Sequence, residues 1–440
     1  MTENDFADVA RRQGIRMGPA GTPLEALLRL RMMTFYVIIL IDSMSIAALI
    51  PILEPLLLDD KHHVFLPESS HGIRSFSYGA MMSIASLIVL YVAPVLATVS
   101  DRIGRKRILI ITTGGLMAAN FLTSLSIVTE SFVLLIIGRM TAGFTSANQP
   151  VSQAALVDMV SQEHRAFHVT MSLLSISLGF VLGPLLAAAF LNLESRAMVE
   201  EEMPFLVLGI AALASMLMLL YFIDEEPKRK KAGQARSLKL NEGLDCFKQA
   251  LRTPNVRDIL LIFVAMQIGW ATYFLFIDNL LTEKFAFDRK NITLFVACLG
   301  LGFCIANGLV QPVLIKLFRF KTLAVFGLVA TVAAMCLTIV FDKPLEQYGL
   351  AILVGTVSSI AYASIVTMLS KTTSDAEQGW IFGMLGAAVA LSWAVGSFAG
   401  GVLEHTSPLV PVAMAIAFIA AAAGGMVSRR DPVSYKQAQK

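Results

Sequence analysis

The sequence predicts an all-α membrane protein with twelve transmembrane helices arranged as two six-helix halves. Three observations carry this prediction. Of 440 residues, 56% are hydrophobic and 15% charged, whereas soluble domains carry about a quarter charged residues. The apolar residues gather in twelve runs of near-membrane length, enough to cross a hydrocarbon core of about 30 Å as helix. The cations fall mostly in alternate loops.

The runs lie at 33–56, 76–99, 108–128, 131–157, 167–191, 204–223, 258–281, 292–315, 322–341, 347–369, 379–403 and 407–427. Residues 1–32 form a cytoplasmic N-terminal segment, loose to about residue 21. Thr22-Pro23-Leu24-Glu25 then reads as a capping box with proline at the first helical position. Leu27, Leu28 and Leu30, interleaved with Arg29 and Arg31, predict a short helix lying on the inner leaflet. The first run follows a polar stretch and is too long for the apolar core of a cleaved leader. The fourth is interrupted by Arg139 and by Asn148-Gln149-Pro150, and the eleventh is rich in small residues.

The longest internal polar stretch, 224–257, is read as a cytoplasmic connector containing a short amphipathic helix. It separates an N-terminal bundle (33–223) from a C-terminal one (258–427), and 428–440 form a cytoplasmic tail. Gly183–Ala188 aligns with Gly396–Gly401 at an offset of 213, and Pro94-Val95-Leu96 with Pro312-Val313-Leu314 at 218. Two near-equal offsets suggest a duplicated six-helix unit with substrate held near the midplane between the copies.

Charge placement gives an orientation. With the N-terminus inside, 27 of the 35 Lys and Arg residues fall on the inner side, seven outside, and Arg139 within a helix. That bias predicts a multi-pass protein with both termini cytoplasmic. A net charge of +3 implies no nucleic-acid partner. Cys246 lies in the basic connector, and Cys298, Cys304 and Cys336 lie in apolar runs; their spacing is not that of a metal or redox motif. His62, His63 and His71 crowd the first external loop with Asp59, Asp60 and Glu68, again without ligand spacing. No metal or cofactor is expected.

Ionisable groups inside the runs are the functional candidates, because each costs about 2.5–3.5 kcal/mol at mid-membrane unless it faces a cavity or partner. Asp42 sits roughly 13 Å above the inner edge of run 1, and Arg139 roughly 12 Å below the outer edge of run 4. Their heights differ by about 5 Å in a 30 Å core, within reach of an arginine. The pair is therefore expected to meet, with Arg139 tuning the proton affinity of Asp42. Glu54 and Asp278, near outer run ends, are expected to stay hydrated at the interface. Asp158 is expected to meet the 102–107 loop. Asn307 and Gln311 share a helix face, Gln267, Trp270 and Tyr273 recur every three residues on run 7, and Tyr362 lies on run 10. These six are candidates for a substrate cavity, or for hydrogen bonds that hold the bundle.

Several segments together resemble one family. Pro94 to Arg107, with Asp101-Arg102-Ile103-Gly104-Arg105-Lys106, resembles the loop between the second and third helices of the major facilitator superfamily; Ala97 and Val99 stand where its usual Gly and Leu would be. Asp42 with Pro51 and Leu53 resembles the first helix of twelve-helix drug:proton antiporters, including tetracycline/proton exporters. Gly138-Arg139 with Gly143 is similar to the family's Arg-x-x-x-Gly motif, which it associates with proton transfer. Gly179 and Gly183-Pro184 are similar to the fifth-helix signature of antiporters, and Glu377-Gln378-Gly379 to the loop before helix 11.

The resemblance implies a major facilitator fold and alternating access, not an enzyme. It implies proton coupling through Asp42 and Arg139, and an inner gate formed by Asp101, Arg102, Gly104, Arg105, Lys106 and Asp158. Gly179, Gly183 and Pro184 would limit leak. The expected protein is a monomeric, proton-coupled exporter of a small organic molecule, with substrate, protons and the bilayer as its partners. The alternatives are a proton-driven uptake symporter, a siderophore or metabolite exporter, or a non-transporting membrane sensor or scaffold.

Overall fold

The computed structural model describes residues 23–58, 65–66, 68–160, 165–191, 201–224, 242–372 and 378–429. Within these residues every regular element is helical: α1 Pro23–Leu58, α2 His71–Ile103, α3 Arg105–Val128, α4 Phe132–Phe144, α5 Asn148–Met159, α6 Arg165–Leu191 and α7 Met203–Phe222. The second half comprises α8 Glu242–Arg252, α9 Pro254–Phe285, α10 Arg289–Ile305, α11 Gln311–Leu317, α12 Phe320–Val340, α13 Pro344–Lys371, α14 Gln378–Glu404 and α15 Leu409–Ser428. Eleven spans are long and apolar enough to cross a membrane, with α10 and α11 joined as one. The interrupted pair α4–α5 is the twelfth. The end of the bundle bearing residues 102–107, α8 and Lys371 is called the basic face.

Two boundaries differ from the expected ones. Pro23 does begin a helix, but α1 runs unbroken from there for 36 residues, about 54 Å, so among the described residues Leu27 to Arg31 belong to the same helix as the first span rather than to a separate surface helix. Thr22 and the residues before it lie outside the described residues. Run 4 is broken at Thr145–Ala147. Pro150 has no N–H to return to the Ser146 carbonyl, and its ring crowds that carbonyl. The Thr145 and Ser146 hydroxyls turn back to Thr141 O and Gly143 O at 2.8 Å each, competing with the helical ladder. The connector does hold a helix: α8 packs under α2, α9 and α14 at the basic face.

The duplicated pattern reappears in packing. A Cβ on Gly183 of α6 would lie 2.5 Å from Met44 O of α1, and one on Gly396 of α14 would lie 2.9 Å from Ile268 O of α9. The fifth span thus rides on the first, and the eleventh on the seventh, through bare backbone at matching places.

Between halves, backbones touch toward the face opposite the basic one. A Cβ on Gly79 of α2 would stand 2.5 Å from Ser397 O and 2.8 Å from Gly401 Cα of α14. Phe76 meets Phe398 and Tyr78 meets Phe276, each with ring centroids 5.8 Å apart. Glu201 pairs with Arg289 across the same rim. Leu53, Leu56 and Leu57 join Phe274, Phe276 and Ile277 in one apolar core shared by both halves. The structure is closed at this end.

Candidate functional site: a carboxylate at the break in span 4

Asp42 projects from the middle of α1 toward the first residues of α5. Its Oδ1 accepts from Asn148 Nδ2 at 3.1 Å and its Oδ2 from Gln149 Nε2 at 3.0 Å. Asn148 is buried and anchored in turn, accepting from Thr113 Oγ1 at 3.3 Å. Gln149 also donates to Ser43 Oγ at 3.2 Å. The break in span 4 creates this arrangement, because it aims two side-chain amides and the positive end of a helix at one carboxylate. Asp42 keeps partial exposure, so the acid is held without being sealed.

Chemically, two neutral amides suit an exchangeable proton. The ionised acid accepts from both. When Asp42 is protonated its O–H needs an acceptor, and rotation of the Gln149 amide offers Oε1 in place of Nε2. No fixed cation has to be displaced. Replacing Gln149 with leucine removes the donors to Asp42 and Ser43. It is expected to lower stability by about 1 kcal/mol, within the range of interhelical hydrogen bonds in membranes. Unfolding of the two proteins in nanodiscs would measure it.

Arg139 is not the partner of Asp42. It lies nine residues before Asn148, about 13 Å of helical rise toward the opposite face, and its electrostatic neighbour is Tyr78. Glu54 and Asp278 are not hydrated rim residues either: they are 3% and 0% exposed.

At the basic face, Gly104 takes φ +105°, the left-handed range that a side chain would resist, and its N–H returns to Ser100 O at 3.1 Å. Arg105 Nη1 donates to Ser100 Oγ at 2.6 Å, and Nη2 reaches Asp158 Oδ2 at 3.5 Å. The loop and Asp158 are thus brought together. Lys106 donates to Leu220 O near the end of α7 at 3.2 Å, where a cation complements the free carbonyls. Arg102 is exposed, and the side chain of Asp101 lies outside what is described.

Beside Asp42, a Cβ on Gly179 would collide with Ser43, and Leu40 O lies 2.9 Å from it; Pro184 sits inside α6. The antiporter-like signature therefore packs directly on the segment that carries the acid.

The six cavity candidates separate. Trp270 stacks on Phe274 at 5.6 Å and meets Phe303 edge-on at 5.5 Å. Phe180 of the first half meets both phenylalanines at 5.7 Å. Tyr273 and Gln267 are buried beside this cluster. Asn307 lies in a π-helical turn, Ala306–Val310, a form frequent at functional sites. It donates to Ser177 Oγ and accepts from Ser359 Oγ, both at 3.1 Å, tying α6 to α13. Gln311 begins α11 and shares neither partner. Tyr362, 37% exposed, leans on Phe263 away from that cluster.

Asn148, Gln149, Phe180, Phe274 and Phe303 were not among the sequence candidates. The signal for the first two was present, since Asn148-Gln149-Pro150 stood out as an interruption. His62 and His63 lie outside the described residues, as does Glu377. Among the described residues no group of His, Cys, Asp and Glu is placed to hold a metal.

A twelve-span bundle of two repeated halves, with a hydrogen-bonded, partly exposed acid midway along span 1 and the Gly104 turn between spans 2 and 3, defines a membrane transporter. The family model of the Major Facilitator Superfamily matches residues 35–397, and the chain belongs to that superfamily. It is similar to the class C tetracycline resistance protein of Escherichia coli, 25% identical over 358 residues, covering 80% of this chain and 84% of that one. It is also similar to multidrug resistance protein 1 of Bacillus subtilis, 23% identical over 331 residues, covering 74% and 80%. The crystal structure of the human organic anion transporter MFSD10 (TETRAN) superposes with a TM-score of 0.65 at 18% identity, covering 91% of this chain and 97% of that one; this likeness concerns the fold alone. The chain is a multi-pass secondary transporter, of a superfamily of carriers rather than enzymes.

Proposed function

We propose that this carrier exports a small organic molecule from the cytoplasm in exchange for protons, and that Asp42 carries the proton. The observation that supports the reading most is the Asp42 carboxylate held by Asn148 and Gln149 at the break in span 4. An acid with neutral, rotatable partners exchanges its proton as water reaches it from alternate sides. The basic face is then cytoplasmic, in keeping with the 27-to-7 bias of Lys and Arg, and the bilayer is the inner membrane. The names of the relatives add tetracyclines and other drugs as the first substrate class to try.

Proteoliposomes with an imposed pH gradient test the direction of coupling. Tetracycline and fluorescein, as a fluorescent organic anion, serve as probes in separate assays. Export coupling predicts that at least one probe accumulates in the acidic compartment, against its own gradient. Accumulation in the alkaline compartment would establish proton-driven uptake and overturn the export reading.

A further inference from the structure

Toward the closed face, and separate from Asp42, lies a second ionisable cluster that joins the halves. Glu54 comes from α1, Tyr78 from α2, Arg139 from α4, Asp278 from α9 and Glu404 from α14; the other four all lie within the electrostatic reach of Tyr78. Asp278 is 0% exposed, and neither of its carboxyl oxygens has a hydrogen-bond partner among the described residues. Glu404, 1% exposed, is held by Asn279 Nδ2 at 2.7 Å and also feels Glu283. Tyr273, five residues before Asp278 on α9, is fully buried and lies within its field. Among the neighbouring elements, α15 has no ionisable residue, Tyr348 of α13 donates to Asn291, and Arg289 at the start of α10 pairs with Glu201. Buried Arg74, one turn before Tyr78 on α2, donates to Ser69 O at 3.0 Å, and Glu202 is buried just before α7.

A carboxylate taken out of water without donors costs several kcal/mol, whereas the neutral acid is far cheaper to bury. Asp278 lies within the electrostatic reach of Tyr78, a buried side chain of the other half, and Tyr78 packs edge-on against Phe276 of α9, so the acid is buried beside the junction between halves that closes this end. Parting the halves there would let water reach it.

We propose that Asp278 is a second proton-binding site, distinct from Asp42, whose protonation closes the face opposite the basic one and whose deprotonation opens it. The proton binds to one carboxyl oxygen on closure and leaves to water on opening. The proposal rests on the transporter reading but needs no substrate. It assigns the coupling acid and the gate acid to different halves.

Spin labels at Ile73 of α2 and Leu345 of α13, both exposed and in different halves, report the gate in nanodiscs by double electron–electron resonance. In the wild-type background the distance is expected to lengthen as pH rises. Asp278→Asn should hold the short distance at every pH, whereas Asp42→Asn should keep the pH response. Elution as a single species, with a melting temperature near wild type, certifies the fold of each variant, and Asp278→Glu serves if the asparagine form does not fold. A pH response unchanged in Asp278→Asn, or absent from the wild-type background, would overturn the proposal. Loss of probe transport with the gate response intact would count against the exporter reading alone.

Discussion

Replacing Asp42 with asparagine is expected to abolish accumulation driven by a pH gradient while leaving substrate counterflow in place. With one proton exchanged per cycle, each pH unit is worth about 1.4 kcal/mol, or a tenfold accumulation ratio. Without a titrating group on α1 that ratio falls to one, whatever gradient is imposed. Counterflow persists because swapping substrate for substrate moves no net proton. The asparagine side chain keeps the shape of the acid but offers one acceptor oxygen where Asn148 and Gln149 both donate. Losing one such bond costs about 1 kcal/mol, which a folded variant survives. Proteoliposome flux under imposed gradients, measured beside counterflow, separates lost coupling from lost protein.

The second large effect is expected at Gly79. Its missing Cβ is what lets α2 touch α14: a carbon there would stand 2.5 Å from Ser397 O and 2.8 Å from Gly401 Cα, both backbone atoms that cannot rotate away. Gly79→Leu therefore forces the halves apart at the opposite face, with an overpacking cost of about 1–3 kcal/mol that falls on the closed state alone. A shift of that size moves the equilibrium between closed and open by roughly five- to 150-fold. The label distance between positions 73 and 345 should lengthen at all pH values, and net transport should fall with it. A normal distance with wild-type transport would show that this contact does not hold the gate.

Much of the architecture was legible because it follows from membrane physics. Hydrophobic length set the spans, and the Gly104 turn followed from a motif whose chemistry is local. Asp42 stood out because a mid-membrane acid must have a reason. Its partners did not, since a pairing between spans depends on how each helix is rotated. Heights counted along straight runs placed Arg139 within reach of Asp42, but the amides that follow the break meet the acid instead, and Arg139 has Tyr78 as its electrostatic neighbour. Glu54 and Asp278 looked hydrated for a related reason. α9 runs on to Phe285 and α1 to Leu58, so both acids lie deeper than their runs implied, and the opposing half covers them. The aromatic contact of Phe180 with Phe274 and Phe303 joins residues about a hundred positions apart, and no local pattern marks it.

Proton uptake at Asp42 is most directly read by infrared difference spectroscopy of the protein in nanodiscs, stepped between acid and alkaline pH without any substrate. The account predicts a carboxylic C=O band in the wild-type protein that appears with acidification and is missing from Asp42→Asn, while a separate band survives there and is lost in Asp278→Asn. Identical difference spectra for wild type and Asp42→Asn would contradict it, because the acid on α1 would then hold one protonation state throughout.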